Sequence, residues 1–323
     1  MNLAIVGTAQ ISHQFTKAAI KAGFSPIAVL SRDSSRGREF LDNYDNNSDI
    51  KGMVYTDMNE LVKNPDIDVV YIASPNIFHF SQTMICIEAH KHVLIEKPCF
   101  SNSVQLQQVL ELAEKKGVFV LETLRLFYNP AINAVRESLS KIEPIRHVAF
   151  NYMRYSSKYD EYRAGQPNSS FSKEFGGGAL PDLGVYVVYA CIDLFGFPDT
   201  VSSHSVSFPD TNDITTTLIL GYKEFNATLT VSKVAAAYCP SEIVGEKGVI
   251  LIENDFLRGN VYVNTKEGKE MVFDATGVDD MYVQQVALLS ILKGELNSSA
   301  HIRAKKFMVE STKVLEVGLR KLL

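Results

Sequence analysis

The 323-residue chain has no tryptophan and only four cysteines, Cys86, Cys99, Cys191 and Cys239, none in Cys-x-x-Cys spacing. A zinc ribbon or a dithiol redox pair is therefore not expected, and the thiols read as reduced cysteines of a cytoplasmic protein. Basic charge is not in excess: 32 basic against 37 acidic residues leave a formal net charge of −5 without a basic run. That balance argues against nucleic acid or a membrane surface as a partner. No apolar run approaches the roughly 18 residues expected of a bilayer-spanning helix. The opening Asn2-Leu3-Ala4-Ile5-Val6 reads as a strand rather than as a charged-then-apolar leader, so no signal peptide is expected. The seven histidines are dispersed, and His90-x-His92 leads into an apolar strand where structural roles are commoner than ligation, so no metal site is expected. Neither a Gly-x-Ser-x-Gly nucleophile turn nor a Walker-type phosphate loop is present.

What is present is ordinary globular composition, 46% hydrophobic and 21% charged, over a length that suits two domains. From residue 2 to about 122, short β-former runs alternate with helical segments. The strand at 2–7 is followed by a helix to about Lys21, and Pro26–Leu30 by a helix at 34–44. A short strand near 52–55 and a helix at 58–63 come next, then Val69–Ala73, a helix to Ala89 and Val93–Ile95. A helix at 103–116 leads to Val118–Leu121. This alternation predicts a doubly wound parallel sheet, α/β in class, over 1–122. Beyond it, a crossover helix at 130–141 precedes strands at 146–155, 200–207, 215–220, 226–231, 249–253, 261–263 and 271–273. Helices at about 279–293 and 304–323 end the chain. Residues 123–323 are thus expected to form an α+β domain on an open, mostly antiparallel sheet. An open sheet needs its other face covered, which points to a homodimer or higher homo-oligomer.

Three stretches carry chemistry. In the first, Gly7-Thr8-Ala9-Gln10-Ile11-Ser12 joins a strand to a helix as a dinucleotide fingerprint does, although Ala9 and Ser12 replace two of its glycines. About 20 residues on, the strand ends at Ser31-Arg32-Asp33. Arginine there suits the 2′-phosphate of NADP, and Asp33 would serve the ribose of NAD instead. In the second, Ser74-Pro75-Asn76 and Glu96-Lys97-Pro98 both end strands on the sheet edge where Gly7 lies, the edge at which ligands collect. In the third, Gly176-Gly177-Gly178 leads through Pro181 to Asp182 and Tyr186. The glycines suggest close backbone approach to a ligand, and the spacing of four places the two side chains on one helical face. Asp182 could instead be a helix cap and Tyr186 a core aromatic. His79, Ser156, Ser157, Lys158 and Tyr159 could line a pocket, or belong to ordinary strand exits.

In this order, the glycine turn, Ala73-Ser74-Pro75-Asn76, Glu96-Lys97-Pro98 and Gly-Gly-Gly…Asp-x-Gly-x-Tyr resemble the glucose–fructose oxidoreductase/inositol dehydrogenase/MocA family over nearly the whole chain. The resemblance implies a Rossmann domain, a second domain used for oligomerisation, and a bound nicotinamide dinucleotide. Residue by residue, it implies a catalytic Lys97 beside the nicotinamide and cofactor contacts from Gly7 to Ile11, Ser31, Arg32, Ser74, Pro75, Asn76 and Glu96. It also implies substrate contact by Asp182. Tyr186 stands where many members carry histidine and is similar to the dihydrodiol dehydrogenase-like branch, which mostly prefers NADP. The start of the crossover, Glu122-Thr123-Leu124-Arg125, departs from the family pattern. The function implied is hydride transfer with NADP, or NAD, to or from a carbinol or carbonyl carbon of a sugar, polyol or diol. Tyr186, assisted by Lys97, would exchange the hydroxyl proton and Asp182 would orient a neighbouring hydroxyl. The reverse assignment, with Lys97 as proton donor, is open, and so is a catalytically inactive NADP(H)-binding regulator of the same fold.

Overall fold

The computed structural model describes residues 1–44, 52–100, 102–166, 168–253, 256, 258–295 and 298–320. Chain contacts sort into two units, Met1–Tyr128 with Asp279–Val309, and Asn129–Val278 with Glu310–Leu323.

In the first unit the strands are β1 (Asn2–Val6), β2 (Ser25–Leu30), β3 (Met53–Tyr55), β4 (Val69–Ile72), β5 (His92–Ile95) and β6 (Val120–Glu122). They form one sheet in the order β3-β2-β1-β4-β5-β6, every pair parallel. Side chains alternate across a strand, so Leu3, Ile5, Val69, Tyr71 and Leu94 enter one apolar core, while Ala4, Val6, Val70, Ile72 and Val93 enter another. The first core is closed by the helices Gln10–Ala22 and Ser34–Asp42 through Phe15, Ala19 and Phe40. The second is closed by Met58–Val62, His79–Glu88 and Ser103–Lys116 through Leu61, Ile87 and Val109. Burial on both faces explains why these strands read as unbroken apolar runs. Strand order reverses between β1 and β4, which makes their carboxyl ends the place for a ligand.

The second unit holds β7 (Ile145–Met153), β8 (Thr200–Val206), β9 (Thr215–Gly221), β10 (Asn226–Ser232), β11 (Ser241–Gly245), β12 (Gly248–Ile252), β13 (Val261–Thr265) and β14 (Gly268–Phe273). The order β14-β13-β12-β11-β7-β10-β9-β8 is antiparallel throughout except for the parallel pair β7·β10. One face is buried through Val148, Phe150, Leu218, Leu229, Ile243 and Ile250. The helix Val185–Phe195 packs on β7 and β10, and the helix Pro130–Ile142 packs on β12 to β14. The other face is half-exposed, with Val206, Met271 and Ile219 the most open of its large apolar side chains among the described residues.

The α/β class and the open, mostly antiparallel second sheet are as the sequence predicts. Four details differ. The first unit runs on past residue 122, because Thr123 hydrogen-bonds to the Ile95 carbonyl and to Glu96. It also recruits the helix Asp280–Leu292, whose Met281, Leu288 and Leu289 share the core of Phe15 and Ala19. β11 was not foreseen. Residues 173–195, contrary to expectation, include a window long and apolar enough to cross a membrane, yet 72% of that window is buried inside the protein as a core element. The last helix is Ser298–Arg320, and the final residues of the span expected at 304–323 lie outside the described residues.

Candidate active site

At the carboxyl edge of the first sheet, Gly7 has φ 100°, and a Cβ there would meet the Ala73 carbonyl oxygen at 2.9 Å. Only glycine lets the turn after β1 lie against the turn after β4. The helix Gln10–Ala22 that follows has Ala9 at its N-cap, with no side-chain cap and no acid in its first turn. The helices starting after Asp33, Asp57, Asn102, Asn129 and Asp279 are all capped by those side chains. An uncapped first turn on a glycine turn keeps N–H donors and a positive dipole end for an external anion, which fits a dinucleotide pyrophosphate. Ser31 is buried and Arg32 is exposed. Asp33 is occupied: its Oδ1 accepts from the Ser35 hydroxyl at 2.5 Å and from the Ser35 and Arg36 N–H groups at 2.9 and 3.3 Å. Those bonds, that of the Ser35 hydroxyl first, hold its pKa below the usual carboxylate value.

The turns after β4, β5 and β6 are tied together. Glu96 Oε1 accepts from the Tyr71 and Thr123 hydroxyls at 2.7 and 2.8 Å, and Oε2 accepts from the Lys97 N–H at 3.2 Å. Its carboxylate thus grips the ends of three strands, a role beyond the cofactor contact expected for it. Lys97 is half-buried, and the Lys97–Pro98 peptide is cis. His79 is fully buried rather than lining a pocket. Its Nε2 lies 2.9 Å from the Ser74 carbonyl, and its Nδ1 lies 3.2 and 3.1 Å from the carbonyls of Pro98 and Cys99. Desolvation lowers its pKa against the pull of those carbonyls. The ring therefore bridges the Ser74–Asn76 turn to the Lys97–Cys99 turn. Ser74 also donates its hydroxyl to Gln82 at 2.6 Å. Glu122, which the sequence reading set aside, is buried and accepts the Cys99 N–H at 2.7 Å. Burial pushes its pKa up to about 7.

In the second unit the triple glycine does something other than expected. A Cβ on Gly177 would lie 2.4 Å from the Ser169 carbonyl oxygen and 2.6 Å from the Ser170 carbonyl carbon, and one on Gly178 would lie 2.2 Å from Asp213 Oδ1. The close approach is to the chain's own backbone and to a buried carboxylate. The helix expected from Asp182 begins as a π-wound turn, Leu180–Gly184, before the α-helix Val185–Phe195. Asp182 is not a helix cap. Its Oδ2 pairs with Lys233 Nζ at 2.8 Å, the carboxylate being 40% exposed and the ammonium only 3%. Tyr186 is buried, edge-on to Tyr152 with ring centroids 5.7 Å apart. Lys97 and the cofactor-turn residues thus belong to the first unit, and Asp182 and Tyr186 to the second.

Of the other candidates, Ser156 and Lys158 form the turn into the helix Tyr159–Arg163, the Ser156 N–H donating to the Lys233 carbonyl at 2.8 Å. Tyr159 packs against Phe171, centroids 5.7 Å apart. His92 is structural, its Nδ1 accepting the Phe119 N–H at 3.0 Å. Among the described residues no His, Cys, Asp and Glu group could hold a metal ion.

Comparison with known proteins agrees with this architecture. Residues 1–123 match the family model described as oxidoreductase family, NAD-binding Rossmann fold, and residues 140–251 match the GFO/IDH/MocA C-terminal domain. The chain belongs to the Gfo/Idh/MocA family and is an oxidoreductase of the NAD(P)-dependent kind that acts on CH–OH groups. It is 33% identical over 270 residues to a scyllo-inositol 2-dehydrogenase (NADP(+)) of Bacillus subtilis, covering 83% of this chain and 81% of that one. It is 30% identical over 247 residues to a trans-1,2-dihydrobenzene-1,2-diol dehydrogenase of Xenopus tropicalis, covering 75% and 72%. Among solved structures, a 3-ketoreductase from Actinomadura kijaniata in complex with NADP and TDP-benzene superposes with a TM-score of 0.82 at 18% identity, over 98% of this chain and 96% of that one.

Proposed function

We propose that the protein is an NADP(H)-dependent oxidoreductase that moves a hydride between the nicotinamide and a carbinol or carbonyl carbon of a sugar, cyclic polyol or vicinal diol. The observation that carries the NADP preference is the state of Ser31-Arg32-Asp33. The acid that would serve the ribose hydroxyls of NAD is bound into its own helix cap, while the neighbouring guanidinium is exposed. A guanidinium pairs bidentately with a phosphate and stacks on adenine. The names of the Bacillus and Xenopus relatives, one an inositol dehydrogenase and one a vicinal-diol dehydrogenase, support a polyhydroxylated substrate.

When bound, the nicotinamide supplies or accepts the hydride. In this reading, Gly7, Thr8, Ala9, Gln10 and Ile11 hold the pyrophosphate at the uncapped helix end, with Ser31 and Arg32 on the 2′-phosphate. Ser74, Pro75 and Asn76 border the nucleotide, and Glu96 fixes the backbone from which Lys97 projects. Tyr186, assisted by Lys97, exchanges the proton of the reacting hydroxyl, and Asp182 accepts a hydrogen bond from a neighbouring hydroxyl. The half-exposed face of the eight-stranded sheet is the surface by which copies would associate into a homodimer or larger homo-oligomer.

The test is a titration of the purified protein with NADPH and with NADH, read on nicotinamide emission, which no tryptophan obscures. NADPH should bind more tightly. Arg32→Ala should weaken NADPH roughly tenfold, the worth of a charge-assisted hydrogen bond, and leave NADH unchanged. Preference for NADH in the unmodified chain would overturn the NADP reading.

A further inference from the structure

Lys233 follows directly on β10 and is 2% exposed, a rare environment for an ammonium unless it is paired. Its Nζ donates to the Ser170 carbonyl at 2.8 Å and to the Ser170 hydroxyl, and it pairs with Asp182 Oδ2 at 2.8 Å. The Phe171 ring centroid lies 4.7 Å away. An ammonium has three N–H donors, and these three oxygens take all of them. Lys233 therefore has no proton direction left for a substrate, and the outer group of the pair is the half-exposed carboxylate. The loop chemistry serves this arrangement: Gly177 lets its own strand of chain press against Ser169 and Ser170, which brings the Ser170 oxygens to the ammonium. A second carboxylate lies alongside. Asp213 is fully buried, with Oδ2 accepting from the Leu180 N–H and the Thr216 hydroxyl at 2.7 Å each. Burial pushes Asp213 up to about 6, and Lys233 is among the groups pulling it back.

We propose that Lys233 is a positioning residue: its buried ammonium keeps Asp182 ionised and fixed, so that the second unit offers substrate a hydrogen-bond acceptor and selects a neutral hydroxyl donor over an anion. This rests on the proposed function for the identity of the substrate, but not for the state of Asp182. A cation 2.8 Å from one oxygen favours the charged form of the carboxylate and leaves it acceptor-only. An anionic group would meet like charge there.

The deciding experiment is a carbon-13 titration of the aspartate carboxyls between about pH 2 and pH 7, a window that brackets the ordinary aspartate value of about 3.9. The Asp182 resonance is assigned by its loss in Asp182→Asn. In the unmodified chain it should keep its carboxylate position to a pH below the ordinary aspartate value. In Lys233→Met the change to the acid form should begin at a higher pH than in the unmodified chain, and in Lys233→Arg it should return towards the unmodified position. If Lys233→Met does not fold by circular dichroism, the unmodified chain still decides: an Asp182 that protonates at or above the ordinary aspartate value of about 3.9 overturns the proposal. A second arm uses scyllo-inositol with NADP. Lys233→Met should raise KM about tenfold with a smaller change in kcat, while NADPH affinity by nicotinamide emission stays the same. Absence of scyllo-inositol turnover in the unmodified chain counts against the substrate reading alone, because the titration needs no turnover. An unchanged Asp182 titration in folded Lys233→Met overturns the positioning role whatever the kinetics show.

Discussion

Replacing Glu122 by glutamine should stabilise the protein at alkaline pH and do almost nothing in mild acid. Glu122 ends β6, is 7% exposed as a residue, and has Oε1 on the Cys99 N–H at 2.7 Å. Burial raises its pKa from 4.5 to about 7 against the opposing pull of that N–H, with Glu96 adding to the rise and Lys97 reducing it. A folded-state value above the unfolded one means that the folded chain holds more protons between those two pH values. Stability is then fully present below the unfolded value and is lost as pH rises through the folded one. The interval is 7 − 4.5, about 2.5 pH units, which at ~1.4 kcal/mol each amounts to roughly 3 kcal/mol lost by pH 8. Glutamine keeps an oxygen for the Cys99 N–H and removes the charge. Urea unfolding followed by tyrosine emission should place Glu122→Gln within ~0.5 kcal/mol of the unmodified chain near pH 4 and ahead of it by roughly 3 kcal/mol near pH 8. Equal differences at the two pH values, or a variant weaker at pH 8, would refute the reasoning.

Three further outcomes follow from the same geometry. Gly7→Ala must place a side chain at φ 100° and 2.9 Å from the Ala73 carbonyl oxygen, so thermal unfolding should show a loss of ~1–3 kcal/mol together with weakened NADPH binding. Lys91→Met removes the donor to the Asn64 and Ile67 carbonyls, each at 2.8 Å; stability should fall by ~2–4 kcal/mol with NADPH affinity unmoved. His79→Phe keeps a buried ring but drops the contacts to Ser74, Pro98 and Cys99. NADPH binding should weaken about tenfold, equivalent to ~1.4 kcal/mol, beyond any change in melting temperature, whereas an unchanged affinity would make the ring mere filling.

The sequence made the two-part architecture legible because its physics is local. Strands buried on both faces, such as Val69–Ile72, must be apolar throughout, and those of the second sheet alternate, as Val148, Phe150 and Tyr152 do. β11 was missed because Ser-Glu-Ile-Val-Gly is short and carries an acid on its half-exposed side. Motif spacing placed Gly7, Ser74 and Lys97 on one edge, since parallel strands share a direction. It could not show that Glu96 would turn back on Tyr71 and Thr123, because those partners come from neighbouring strands rather than neighbouring residues. The same blindness hid Lys233. Its only local signal was a lysine closing the alternating run Asn226–Ser232, and its pairing with Asp182 spans β8, β9 and β10. The triple glycine was read as room for a ligand, whereas Ser169, Ser170 and Asp213 fill that room.

The partition of the chain also bears on its synthesis. The first unit draws on two widely separated parts of the sequence: Met281, Leu288 and Leu289 complete the core that Phe15 and Ala19 begin. A ribosome releases those late residues only after residues 129–278 of the other unit have been made. The nucleotide-binding half therefore emerges first but is completed late, with one apolar flank waiting for its cover through most of translation. An expression fragment cut after residue 122 or 128 would keep every strand of the parallel sheet and still lack that cover, so it should be recovered as an aggregating species. A circular permutant that joins residues 279–309 directly to the first unit would deliver the cover on time.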